Sequence, residues 1–259
     1  MNPYDGLRGT WLRGIFHGHS AVASRCATVR LGEVLRRYRD LGAAFTSVTD
    51  HDTVTNLDRA RRQHPELVLL EGFEHSAGAN LAFVGERVPP LHRLPLGEAL
   101  LAADGLLTFA CHPRPRPGEA HWSRETIEAL PRLPDGVEVY NGHYGIPRMA
   151  AKGCVPRYAD FWDELLTAGI RLWGFANDDS HEPDDFGNAW NMVCVEEVSA
   201  AAIVRAARAG RFYATTGLEP ARIDGDGPRV TVRFAEAVEG RFVGPGGVTL
   251  AGGTDTAFS

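Results

Sequence analysis

The chain has 259 residues, of which 44% are hydrophobic and 23% charged, with a formal net charge of -6. A chain of that length covers one α/β barrel and can bury a sizeable core, while the acidic balance disfavours a nucleic-acid partner, and a small anionic substrate would need local cations. No apolar stretch approaches the roughly 20 residues of a membrane span; the four cysteines (Cys26, Cys111, Cys154, Cys194) form no C-x-x-C pair, and the N-terminus lacks a basic start with a long apolar run, so the expectation is a cytoplasmic protein with no membrane partner.

Short apolar runs predict strands at Gly14–His17, Ala44–Thr49, Leu67–Glu71, Leu81–Val84, Leu106–Cys111, Val137–Tyr140, Arg171–Ala176 and Met192–Glu196. Helical spacing falls between them, at Leu31–Leu41, Asn56–Gln63, Leu96–Ala103, Ser123–Leu130, Tyr158–Ala168 and Ala200–Ala209. Strand followed by helix, repeated, argues for parallel βα units, and the count suits a (β/α) barrel of seven strands rather than eight. After Gly217 the pattern changes to short strand-like runs split by Gly and Pro, at Ala221–Ile223, Arg229–Phe234, Arg241–Val243 and Val248–Leu250. The expected division is a barrel over 1–217 and a small β-rich appendage over 218–259, which stops in mid-pattern as a truncated element would.

The chemistry-bearing residues gather at strand ends. His17 and His19 close the first strand, Asp50 and His51 the second, and Glu74 follows the third. His112 closes Leu106–Cys111; Glu138, Asn141 and His143 lie at and beyond Val137–Tyr140; Asp179 and His181 follow Arg171–Ala176. In a (β/α) barrel those ends meet on one face, which holds the active site. Side chains two apart on a strand point the same way, so His17 and His19 reach one metal, and Asp179 with His181 repeats the arrangement from the far side. Imidazole and carboxylate without thiolate suit Zn²⁺, Fe²⁺ or Mn²⁺. A carboxylate such as Glu74 can bridge two ions, which would activate water and clamp a phosphate, so no Ser or Cys nucleophile is required.

The ordered set His17-Gly18-His19, Thr49-Asp50-His51, Gly72-Phe73-Glu74, His112-Pro113 and Asp179-Ser180-His181 resembles the PHP (polymerase and histidinol phosphatase) family over residues 14–215. The resemblance implies a distorted (β/α)7 barrel with two or three divalent ions and hydrolysis of phosphate esters. It assigns His17, His19, Glu74 and Asp179 to a first ion. Glu74, His112 and His143 go to a second, with Glu138 or Asn141 as the alternative to His143. His51 and His181 go to a third. Asp179 would also relay a proton, and His51 or His181, if free of an ion, would serve as general acid or substrate contact.

One departure stands out. The family places an Asp or His five or six residues after the second His of H-x-H, where this chain has Ser24 and Arg25. Three consequences are open: a two-ion site with Arg25 facing substrate phosphate, Cys26 as a substitute ligand, or a lost third site. Arg114 and Arg148 flank the predicted site loops and are further phosphate contacts. His64, His92 and His121 read as solvated, and His75, next to Glu74 on a strand, points the other way. The expected substrate is a small phosphorylated molecule. Nucleic-acid or nucleotide phosphodiester cleavage, C–N or lactone hydrolysis, and a non-catalytic metal-binding barrel are the alternatives.

Overall fold

The computed structural model describes residues 2–259. The first half holds β1 (Thr10–Ile15), α1 (Leu31–Asp40), β2 (Phe45–Val48), α2 (Asp58–Gln63), β3 (Val68–His75), β4 (Leu81–Gly85), α3 (Leu96–Leu101), β5 (Leu107–Ala110) and α4 (Arg124–Glu128). Then come β6 (Gly136–Asn141), two single turns α5 (Gly142–Gly145) and α6 (Pro147–Ala150), α7 (Ala159–Thr167), β7 (Trp173–Asn177), β8 (Trp190–Val195), α8 (Ala200–Arg208) and β9 (Phe212–Thr215). The periodicity explains the helices. In α1, Val34, Leu35 and Tyr38 form the buried stripe, and Glu33, Arg36 and Asp40 pair on the outer face.

These strands make one sheet in the order β7-β6-β5-β4-β3-β2-β1-β8-β9. The parallel expectation holds for β1-β2-β3 and for β5-β6-β7. It fails at β4, which is antiparallel to both β3 and β5, and at β8, antiparallel to β1 and β9. The reason at β4 is length: only residues 76–80 join it to β3, too few for a crossover helix. The strand β9, which the sequence reading lacked, extends the sheet past β8. Together these make a distorted, nearly closed barrel.

Phe16, Phe45, Leu70, Phe109, Phe175 and Phe212 fill the barrel, and α8 adds Ile203 and Ala207 to the same cluster. A second layer lies outside the sheet, where Phe73, Phe83 and Val137 pack against Leu100, Ile127, Phe161 and Leu165 of the outer helices.

Side chains close the seam at β7. Asn177 Oδ1 accepts from Phe16 N–H at 2.8 Å, and the Asn191 amide bonds both Ala176 N–H (3.2 Å) and Ala176 C=O (2.7 Å). Beyond the strand ends, Asp179 N–H donates to the His17 carbonyl at 3.1 Å and His19 N–H to the Ser180 carbonyl at 2.9 Å. Gly18 permits that lacing: a Cβ there would sit 2.9 Å from Ser180 Oγ and 3.1 Å from Ile15 Cδ1.

The C-terminal run forms a separate three-stranded antiparallel sheet of β10 (Arg222–Asp226), β11 (Arg229–Val243) and β12 (Thr249–Phe258). Two expected short strands are one here. A register shift between Arg233 and Val238 lets β11 pass from its pairing near β10 to the long pairing with β12 without breaking. Among the described residues no helix is long and apolar enough to cross a membrane.

Candidate metal centre

The end of β3 and the segments that follow β1 and β7 bring His17, His19, Glu74 and Asp179 together. His17 Nε2 lies 3.2 Å from His19 Nε2, 3.2 Å from Asp179 Oδ1 and 3.5 Å from Glu74 Oε2. His19 Nε2 lies 3.0 Å from Asp179 Oδ1 and 3.3 Å from Glu74 Oε2. A tetrahedral ion with bonds of about 2.0–2.2 Å has edges of roughly 3.3–3.6 Å, so these nitrogens and oxygens have the spacing of a ligand set. Glu74 Oε2 and Asp179 Oδ1 are buried and meet no hydrogen-bond geometry, although His51 Nδ1 lies 3.0 Å from Glu74 Oε2. A buried carboxylate oxygen without a donor is costly; a cation among the four residues removes that cost.

The outer nitrogens of the histidines are committed. His17 Nδ1 donates to Glu138 Oε1 at 2.9 Å, because a carboxylate can only accept. His19 Nδ1 faces Ser24 Oγ at 3.1 Å; the Ser24 hydrogen goes to Asp50 Oδ1 at 2.8 Å, so Ser24 accepts from His19. His181 Nδ1 donates to the Asp179 carbonyl at 2.7 Å. Each bond fixes the tautomer that leaves Nε2 bare, the usual arrangement around metal-ligating histidine. Ser24, which in sequence looks like a missing ligand, thus orients His19.

The acids also favour a proton on the His17 and His19 imidazoles, a charge that an ion at Nε2 would replace. Burial opposes charge on His17, yet Asp179, with Glu138 and Glu74, holds its imidazole well above the usual histidine range. Burial likewise opposes charge on Glu74, and His17, then His112, hold it well below the usual carboxylate range. The cluster is built to have a positive charge among its acids.

Glu74 spans two places. Its Oε2 faces His17, His19 and, at 3.0 Å, His51 Nδ1; its Oε1 lies 3.0 Å from His112 Nε2 and accepts from Asn80 Nδ2 at 2.7 Å. His51 reaches Glu74 because β2 and β3 go on pairing past Val48, with a bridge between His51 and Glu74. His112 and Asp179 have φ of 25° and 51°, left-handed values that cost a non-glycine residue of order 1–3 kcal/mol and cluster at functional sites.

The structure does not bring His143 to Glu74 and His112. His143, in α5, puts Nδ1 3.0 Å from Asp185 Oδ2, and its ring is 4.8 Å from that of His181. Tyr144 stands between, its ring 5.4 Å from His112. Glu138 is equally unavailable, since its oxygens take His17 Nδ1, Asn177 Nδ2, His112 N–H and Asn141 Nδ2. Asn141 also donates to Asp179 Oδ2 at 3.1 Å. At the third place, His19, His51 and His181 come together. Arg25 is exposed, whereas the Cys26 thiol faces His181 and His51, which outweigh burial and pull it down to about 6.

Of the other arginines, Arg114 is not brought to the cluster: its Nη2 donates to Glu164 at 2.7 Å and its guanidinium lies over Phe161. Arg148 is at the rim, its Nη2 3.3 Å from Glu182 Oε2 and 3.9 Å from Asp185 Oδ1 in ion pairs without hydrogen-bond geometry, and its Nε buried without a hydrogen-bond partner. Asp185, Asn80 and His121 join the site without any sequence signal that singled them out. His75 turns away, its Nε2 donating to the Leu94 carbonyl.

No family model matches the chain, and no curated protein matches it in sequence. Solved structures do match. A two-domain protein from Bacteroides vulgatus, containing a predicted PHP-like metal-dependent phosphoesterase, is 18% identical with a TM-score of 0.61 over 95% of this chain and 85% of its own. PsfC from Pseudomonas syringae is 12% identical with a TM-score of 0.49, covering 79% of this chain and 91% of its own. An amidohydrolase from Chromobacterium violaceum is 13% identical with a TM-score of 0.42, covering 66% and 88%. The likeness to the first is one of fold, over most of both chains.

Proposed function

We propose that the chain is a metal-dependent hydrolase of small phosphate esters that works with two divalent ions. The observation carrying this reading is the pair of buried carboxylate oxygens without a hydrogen bond, Glu74 Oε2 and Asp179 Oδ1, facing the Nε2 atoms of His17 and His19. Those four residues would hold the first ion, and Glu74 Oε1 with His112 Nε2 would hold the second. Ions of the Mn²⁺, Fe²⁺ or Zn²⁺ class held there supply Lewis-acid polarisation of a phosphoryl oxygen and a water acidic enough to attack near neutral pH.

The chain's own groups do the rest. Glu138, Ser24 and Asp50 keep His17 and His19 in the binding tautomer. Arg148, whose Nη2 lies 3.3 Å from Glu182 and 3.9 Å from Asp185, would have to exchange those ion pairs to take a phosphate oxygen at the rim. His181 presents Nε2 beside the cluster, where it can contact the leaving group or hold its proton. Phosphate esters are favoured over nucleic acid by the net charge of -6, and the location expected from the sequence is the cytoplasm.

The test is metal analysis of protein purified without added metal, followed by a panel of phosphoesters with and without chelator. About two ions per chain, and turnover that chelator abolishes and Mn²⁺ or Fe²⁺ restores, are expected. Full activity of metal-stripped protein would sink the proposal. Three ions per chain would replace the two-ion form with one in which Cys26, His51 and His181 take part.

A further inference from the structure

His121 reads in sequence as a solvated loop histidine, and the structure places it against the centre. The segment from Pro113 to Trp122 folds back on itself. Arg116 and Glu119 pair across a turn at Gly118, whose φ is +80°, and the N–H groups of His121 and Trp122 both donate to the Pro113 carbonyl, at 2.8 and 3.1 Å. Trp122 is buried and its Nε1 donates to the Asn80 carbonyl at 2.9 Å, which pins the loop to the residue that holds Glu74. The closure lays the His121 ring edge-on to His112, with Nδ1 to Nδ1 at 3.1 Å. On its other side His121 Nε2 lies 3.2 Å from Glu119 Oε1, and Glu119 Oε2 accepts from Arg116 Nη1 at 2.8 Å.

We propose that His121 is a positioning residue for the second ion: it accepts the Nδ1 hydrogen of His112 and so leaves His112 Nε2 bare toward Glu74. This rests on the two-ion reading above. The direction of each hydrogen follows from the chain of partners. Glu119 can only accept, so His121 carries its hydrogen on Nε2 and offers Nδ1 as an acceptor. One hydrogen fits between the two Nδ1 atoms, and it belongs to His112. The backbone alone does not orient this ligand, because φ at His112 is in a strained region and the only hydrogen bond from its main-chain N–H is to Glu138, at 2.8 Å. Loss of such an outer partner typically costs a ligating histidine about 10–100-fold in metal affinity.

Two measurements decide it. Long-range proton–nitrogen spectra of the Zn²⁺-loaded protein report the tautomers, with His112 expected as Nδ1–H and His121 as Nε2–H. Competition titrations with Zn²⁺ then compare wild type, His121→Phe and His121→Gln. His121→Phe is expected to weaken the second ion by about 10–100-fold and leave the first unchanged, and His121→Gln, whose carbonyl oxygen still accepts, to recover most of the loss. Wild type that binds fewer than two ions overturns the two-ion reading and this role with it. Wild type that binds two ions while His121→Phe holds both as tightly overturns only the positioning role. So does His121 found as the Nδ1–H tautomer, a result that stands even if His121→Phe does not fold.

Discussion

The centre has two unlike walls. The inner one, His17, His19 and Asp179, is buried and laced by main-chain bonds between the ends of β1 and β7, and Glu138, Ser24 and Asn141 brace its side chains. The outer one, His112 with Tyr144, His143 and His181, stands on loops and single helical turns. It carries one direct contact to Glu74 Oε1 from a histidine. The difference teaches where affinity and access come from. Strand ends hold ligands with little freedom, while loops leave room for a substrate to enter and for ligand orientation to be tuned by neighbours.

Glu74 serves both walls, so its removal is expected to have the largest effect. Structural sites with four ligands bind zinc with about 10–16 kcal/mol, or roughly 3 kcal/mol per ligand, which is about a hundredfold in affinity. Glu74→Ala takes one ligand from each ion, so each should weaken by about that factor, and turnover should fall with the product of the two, about 10⁴-fold. Metal analysis after gel filtration checks it. Retention of either ion at wild-type affinity would mean that Glu74 does not bridge the walls.

Asn177→Ala attacks the inner wall alone. It strips the acceptor of Phe16 N–H and of Asn191 Nδ2 and one donor to Glu138 Oε1, at about 1–3 kcal/mol for each buried group left unsatisfied. A loss of about 2–4 kcal/mol in denaturant unfolding is expected, with the first ion weakened and the second nearly unchanged. An equal loss of both ions would show that the walls are not separable.

Much of this was legible in the sequence, and unevenly. The strand ends near His17, His51, Glu74, His112 and Asp179 were readable because short apolar runs give way to polar residues there, although β3 runs on through Glu74 to His75. The antiparallel turn at β4 was not, since a fully apolar run reads the same in either direction and only the short connection betrays it. His143 and Asp185 lie beyond strand ends, in single helical turns whose direction no periodicity fixes. Ser24 is the instructive residue. As a letter in a motif it marks an absent ligand, and only its hydrogen bonds to His19 and Asp50 give it a role. In the C-terminal sheet β12 is largely exposed, so burial does not punctuate it and its full length was not readable.

Ser24→Ala therefore tests the inner wall more gently than Asn177→Ala. It removes the acceptor for His19 Nδ1 and a donor to Asp50, and it leaves every ligand atom in place. The first ion should weaken by about 10-fold, at the low end for a lost outer partner, and Ser24→Thr, which keeps the hydroxyl, should restore it. A competition titration distinguishes the two variants. Equal affinities would return Ser24 to the status of a mere gap in the motif.

The smallest effect on metal is expected at the outer wall, from His143→Ala. His143 spends Nδ1 on Asp185, and Tyr144 separates it from His112. The two ions should therefore stay within about twofold of wild-type affinity, less than half a kcal/mol. The steady-state constants of the proposed hydrolase should still move, because the His143 ring lies 4.8 Å from that of His181, the residue proposed to contact the leaving group. If the second ion is lost instead, His143 swings to Glu74 and His112 when the metal binds. The outer wall would then be as fully built as the inner one, and the contrast between them would belong only to the unloaded protein.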